Sequence, residues 1–246
     1  MDQLDKKFSV LILAAGTGSR MGIVGKKNPK CLIKINKIAL IERIINFFLK
    51  LNIIDINIVI GYQKNKIIKI LKKNKINFIF NNKYNKYGSV YSWFIFKKFL
   101  KKKNLIIIHS DIIFNINTLK KIIFSNKKDL IGTIKKKILK KKSFITLANK
   151  KNILKKICFK YQIKEKSKYN EIICINKFSH KTMLLFFKFL KNKKKFSWKY
   201  KTWEFLINEF AINKKIFVKS VIDNQWFNIN TRKDLALTKS SYKEKI

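Results

Sequence analysis

Residues 8–22 read FSVLILAAGTGSRMG, and the fold turns on how they are interpreted. Residues 8–15 form an apolar run, interrupted only by Ser9, that ends against a glycine cluster. Such a run predicts a short strand buried on both faces, as in a parallel sheet. The following stretch, Gly16-Thr17-Gly18-Ser19-Arg20-Met21-Gly22, departs from two common phosphate loops. The third glycine of a dinucleotide loop would fall at Met21, and the Gly-Lys-Ser/Thr ending of a P-loop is missing. What remains is a glycine turn that offers backbone N–H groups to an anion, with Arg20 placed to grip a phosphate by its fork. Gly16 and Gly18 alone would equally suit an ordinary tight turn. Pro29, the single proline, fixes the backbone just before Lys30 and favours the anion-binding reading.

Working outward, residues 39–50 have helical periodicity, 55–62 read as a second strand, 64–73 as a helix and 76–80 as a strand. SVYSWFIFKKFLKK (89–102) predicts a helix with Ser89 as N-cap, NLIIIHSD (104–111) a third buried strand, and 117–125 a helix. Alternation at this spacing predicts an α/β unit that binds ligands at the carboxyl ends of parallel strands. Beyond residue 128 the pattern loosens. Strands are expected over 129–134, 143–148, 155–161, 169–176 and 215–222, and helices over 178–191 and 200–211. WFNINTRKDLALTKS then reads as a strand or turn entering a helix. No linker, repeat or low-complexity tail interrupts the chain, so one domain over 1–246 is expected.

Of 246 residues, 58 are Lys or Arg and 13 are Asp or Glu, a formal net charge of +45. A hydrophobic fraction of 47% argues against disorder. No window holds about 18 consecutive apolar residues, and the acidic start is unlike an export signal, so a soluble cytoplasmic protein is expected. Cys31, Cys158 and Cys174 lack metal-ligand spacing and leave an odd count, which argues against a disulfide framework or a zinc site. The charge raises nucleic acid as a partner. Yet lysine is spread everywhere, and the only arginines are Arg20, Arg43 and Arg232. Lys, Asn, Ile, Phe and Tyr are enriched together, as codon bias would produce, so nucleic-acid binding is not expected. The surplus would still attract small anions such as nucleotides.

Scarce carboxylates make Asp111 conspicuous. It follows the apolar run 105–108 by three residues, where a buried charge needs a partner, and a hard divalent cation such as Mg²⁺ fits. The alternative is a turn or N-cap aspartate before the next helix. His109 and His180 have no acid or cysteine at catalytic spacing and read as core or supporting residues.

LAAGTGSRMG (13–22) followed by PKCL (29–32) resembles the nucleotidyltransferases that make nucleotide-activated sugars and alcohols. GYQKNKI (61–67), EIICINKFS (171–179) and WFNINTRKDLALTK (226–239) look like further segments of that family. The resemblance is strongest to bacterial phosphocholine cytidylyltransferase-like enzymes. Their Y-x-x-T-N-N-x-Y-S-L stretch is represented by Tyr84, Tyr91 and Ser92, with Tyr87, Gly88 and Ser89 replacing T-N-N. The family ending W-x-E-I-D-T also changes, to Trp226-Phe227-Asn228-Ile229-Asn230-Thr231. Asn230-Thr231-Arg232 looks instead like the V-N-N-R close of uridylyltransferases acting on amino-sugar phosphates.

The resemblance implies a three-layer, Rossmann-like α/β fold with a mixed, mostly parallel central sheet. It implies a nucleotide-binding half near 8–127 and an acceptor half near 128–240. Leu13, Ala14, Ala15, Gly16, Thr17, Gly18, Ser19, Arg20 and Ser89 would bind the nucleotide, with Arg20 and Lys30 catalytic. Asp111 and Asn230 would hold Mg²⁺. Tyr91, Glu171, Trp198 and Glu204 would line the acceptor pocket; Trp198, Trp203 and Tyr91 are read either as an aromatic face for a cation or as plain core. The implied reaction transfers CMP from CTP to phosphocholine or a related phosphomonoester and releases pyrophosphate, supplying surface polysaccharide or lipid assembly. A sugar-1-phosphate nucleotidyltransferase using UTP, dTTP or GTP is the alternative, and guanylyltransferases of molybdenum-cofactor type share a similar glycine loop.

Overall fold

The computed structural model describes residues 3–72, 75–135, 143–163, 169–193 and 198–243. The first half runs α1 (Gln3–Lys7), β1 (Phe8–Ala14), α2 (Ile23–Lys27), β2 (Lys34–Ile35), β3 (Ile38–Ala39), α3 (Leu40–Lys50), β4 (Ile56–Ile60), α4 (Lys64–Leu71), β5 (Asn77–Phe80), α5 (Ser89–Phe96), β6 (Asn104–His109), β7 (Ile112–Ile113) and α6 (Ile116–Ile123). The second runs β8 (Leu130–Ile134), β9 (Phe144–Ala148), β10 (Leu154–Phe159), β11 (Asn170–Phe178), α7 (His180–Asn192), α8 (Trp203–Phe210), β12 (Phe217–Val221), β13 (Phe227–Asn228) and α9 (Arg232–Ser241).

One nine-stranded mixed sheet passes through both halves. Strands β5, β4, β1 and β6 lie side by side and parallel, so the loops at their carboxyl ends share one edge. Long-range antiparallel pairing of β11 with β6, β8 and β9 joins the second half to that parallel block. The central strands are apolar without alternation because both faces are covered: Val10, Leu11, Ile12 and Leu105 to Ile108 are completely buried. On one face Trp93 of α5, Phe178 of β11, Phe186 of α7 and Trp203 of α8 form a continuous aromatic cluster. On the other, Lys177 crosses to α6 and donates to the Ile123 and Ser125 carbonyls at that helix's end. Successive strand residues point to opposite faces, so Lys177 and Phe178 mark the two sides of a three-layer α/β architecture. Among the described residues no helix is long and apolar enough to cross a membrane.

The expected strands and helices are all present, with ends shifted by a few residues. One local expectation is corrected. Gly88, not Ser89, is the N-cap of α5, and the Ser89 hydroxyl instead accepts from the Trp203 backbone N–H at 3.1 Å, tying the starts of α5 and α8 together. Periodicity gave no sign of α1, α2, the β2–β3 hairpin or the two-residue strand β7, which are too short to show it, whereas β13 falls where a strand or turn was expected. The last two matter most. Antiparallel pairing of β7 with β13, extended by the Ile229 N–H to Asp111 carbonyl bond at 3.0 Å, sets the region of Asn230 beside Asp111.

Candidate functional site

At the carboxyl edge of β1, β4 and β6 the chain brings together four side chains widely separated in sequence. The Lys30 ammonium donates to Asp111 Oδ2 at 2.5 Å and to Asn230 Oδ1 at 2.9 Å. Arg20 Nη2 donates to the same Asn230 oxygen at 2.9 Å. Lys30 and Asp111 are half-buried, whereas Arg20 is exposed. Burial alone would raise the Asp111 carboxyl, but Lys30, together with His109, outweighs it and holds the group below the ordinary carboxylate value.

Local structure explains the convergence. Ser110 donates from its backbone N–H and its hydroxyl to the Leu13 carbonyl, pinning the end of β6 to the end of β1. Beyond Ala14 and Ala15, which are buried, the chain opens at Gly16, where an added Cβ would meet nothing within 4 Å. Gly18 has φ +64, a left-handed conformation that suits glycine, and its Cα lies against Lys30. Thr17 is half-buried and Ser19 exposed on the same loop. On the far side, Asp234 accepts from the Asn230 and Thr231 backbone N–H groups while the Thr231 hydroxyl caps α9, so the helix start holds Asn230 in place. The Asn230 amide N–H donates to Asn228 at 2.8 Å, which turns its carbonyl oxygen toward Lys30 and Arg20.

The expected acceptor residues do not all share this edge. Tyr91 is half-buried in a cluster with Tyr87 and Tyr200. Glu171, half-buried on β11, accepts from the Ser143 hydroxyl at 2.7 Å. Glu204 is buried near enough to feel Asp111, and its Oε2 has no hydrogen-bond partner. Burial pushes its carboxyl up to about 7. Trp198 is a correction: it is fully enclosed, its ring 4.8 Å from that of Phe94, so it belongs to the core rather than to an open aromatic face. Trp203 is likewise enclosed.

Sequence reasoning missed three supporting residues. Arg232 Nε donates to the Met21 carbonyl at 3.2 Å, with its guanidinium against Gly22. Tyr62 and Gln63, after β4, donate to the Lys26 carbonyl and hold α2 from the other side. All three lie in segments that resemble the family, 61–67 and 226–239, but the resemblance assigned them no role.

Residues 10–131 match the family model of the MobA-like NTP transferase domain. Over that stretch, just under half of its length, the chain is similar to nucleotidyltransferases. A choline-phosphate cytidylyltransferase of Streptococcus pneumoniae is 35% identical over 99 residues, covering 40% of this chain and 43% of that protein. A CTP:phosphoglutamine cytidylyltransferase of Campylobacter jejuni is 32% identical over 122 residues, covering 47% and 48%. The chain thus spans less than half the length of the curated relatives it matches. Among solved structures, the CTP:phosphocholine cytidylyltransferase from Streptococcus pneumoniae (LicC) aligns with a TM-score of 0.76 over 95% of this chain and 98% of that one, at 19% identity. That likeness concerns the fold alone.

Among the described residues no group of three or more His, Cys, Asp or Glu gathers as a metal site. The edge nevertheless suits Mg²⁺, which takes one or two protein oxygens and completes its shell with water and substrate phosphate. Asp111 Oδ1 is buried without a hydrogen-bond partner, and Lys30 joins Asp111 Oδ2 to the Asn230 carbonyl oxygen.

Proposed function

We propose that the chain transfers CMP from CTP to a small phosphomonoester, phosphocholine or a related phosphorylated alcohol, and releases pyrophosphate. The observation that carries this reading is the meeting of Arg20, Lys30, Asp111 and Asn230 beside the Gly16–Gly18 turn. The 8–127 half would take the nucleotide and the 128–240 half the acceptor.

A phosphomonoester oxygen is already anionic, so its attack on the α-phosphorus needs no general base. A bond forms from that oxygen to phosphorus, the bond to the bridging oxygen of the leaving group breaks, and pyrophosphate departs. The protein's task is to align two anions and neutralise developing charge. Arg20 and the backbone of the Gly16–Ser19 turn bind the β- and γ-phosphates. Lys30 releases Asp111 and Asn230 to contact the α-phosphate or the acceptor phosphate. Asp111 and Asn230 are the residues that would hold Mg²⁺, which when bound supplies positive charge to the phosphate oxygens. Ser89 acts on the nucleotide side through the helix starts it joins, and Tyr91 and Glu171, both half-buried, would contact the acceptor, whereas Glu204 is buried.

A second reading, sugar-1-phosphate nucleotidyl transfer, is favoured by one observation: the ligand opposite Asp111 is an amide, held by an Asn-Thr-Arg segment. A matrix of four NTPs against phosphocholine, glucose 1-phosphate and N-acetylglucosamine 1-phosphate, read by pyrophosphate release in Mg²⁺, separates the two. CTP with phosphocholine should give the highest kcat/KM. Lys30→Ala should lower it on the order of 100-fold or more with the circular dichroism spectrum unchanged. No pyrophosphate from any pair, or a Lys30→Ala rate within threefold of the parent, sinks the proposal.

A further inference from the structure

His109 ends β6 two residues before Asp111, its ring half-buried at the site edge. The Trp203 indole Nε1 donates to His109 Nε2 at 3.1 Å. An indole N–H can only donate, so Nε2 must present a lone pair, and a neutral imidazole then carries its proton on Nδ1. Trp203 has no freedom to release that contact. It is fully enclosed, stacked on Trp93 with ring centres 5.3 Å apart and planes 15° apart, and its backbone N–H is bound by Ser89. Among the described residues His109 Nδ1 makes no hydrogen bond.

We propose that His109 is a substrate-positioning residue, locked by Trp203 as the Nδ1–H tautomer and offering that N–H to an anionic phosphate oxygen beside Asp111. This rests on the phosphoryl-transfer reading of the site. The lock also closes the ring to general-base work, since the lone pair is committed and the other nitrogen is protonated. A neutral donor can orient a phosphate without competing with Lys30 for Asp111.

The chain has only two histidines, so a long-range ¹H–¹⁵N spectrum contains two imidazoles, and His180→Asn assigns them. Without ligand, His109 should show the Nδ1–H pattern, and Trp203→Phe should convert it to a mixture of tautomers. CTP, phosphocholine and inorganic phosphate, added separately with calorimetry on the same samples, identify which phosphate meets the ring. At least one should shift the Nδ1 resonance. His109→Leu should weaken that ligand roughly tenfold, while His109→Asn, whose amide N–H can replace Nδ1–H, should stay within about threefold. An Nε2–H ring, or a ligand that binds by calorimetry without moving His109, overturns the inference alone. If wild-type protein binds none of the three, the phosphoryl-transfer reading falls and takes the inference with it.

Discussion

Four residues of the site were legible singly in the sequence: Arg20 from its glycine turn, Lys30 from the lone proline, Asp111 from the apolar run before it, and Asn230 by resemblance. Their contacts were not, because side chains as much as 210 positions apart meet only through tertiary structure. Aromatic residues were less legible. A tryptophan that stacks on a ligand and one that fills a core carry the same letter, and Trp198 proved to be core. Glu204 allows a prediction from its environment. In the unfolded chain its carboxyl ionises near 4.5, whereas in the fold it keeps its proton to about 7. Unfolding therefore becomes progressively easier as pH rises across that window and levels off above it. Glu204→Gln, which cannot ionise, should be the more stable protein at about pH 8, by roughly 2–4 kcal/mol, with the gap closing below the lower pKa. Urea unfolding of both proteins at the two pH values is the test, and a gap that persists in acid counts against burial as its cause.

Elements long enough to show a period were readable; those that assemble the site were not. The β7–β13 pair is two residues a side, yet it aligns the segments bearing Asp111 and Asn230. The junction of α5 and α8 was hidden for another reason: Ser89 looks like a helix cap, and only packing shows that it serves the neighbouring helix. That junction is tight. A Cβ on Gly88 would lie 2.2 Å from the Lys201 carbonyl oxygen, a backbone atom that cannot rotate away. Gly88→Ala should cost about 1–3 kcal/mol and loosen Trp203, whereas Gly16→Ala, facing open space, should leave stability within about 0.5 kcal/mol. Thermal unfolding of the two variants compares them directly. Equal melting temperatures would mean that the two segments separate at little cost.

At the scale of the molecule, the +45 charge is spread over a chain whose few acids are largely engaged. Asp55 meets Lys101 and Lys103, and Glu209 meets Lys193 and Lys201. The surplus lysines repel one another over distances that salt screens, from about 30 Å at 0.01 M to about 8 Å at 0.15 M. The melting temperature should therefore rise with NaCl over that range, by roughly 2–4 °C for each kcal/mol of repulsion removed. Calorimetry in salt steps measures this, and a flat or falling trend would show the charge to be thermodynamically silent. The three arginines add one more consequence. Arg20 reaches Asn230, Arg43 reaches Tyr242 and Arg232 reaches Met21, so all of them tie the closing segment to the first fifth of the sequence. Lys30 and Asn230 lie 200 residues apart. At about 5–20 residues per second, a ribosome finishes the second tens of seconds after the first. During translation the glycine loop is thus made before its contacts with Asn230 and Arg232, and a nascent chain cannot join Lys30 to Asn230 before the segment bearing Asn230 emerges.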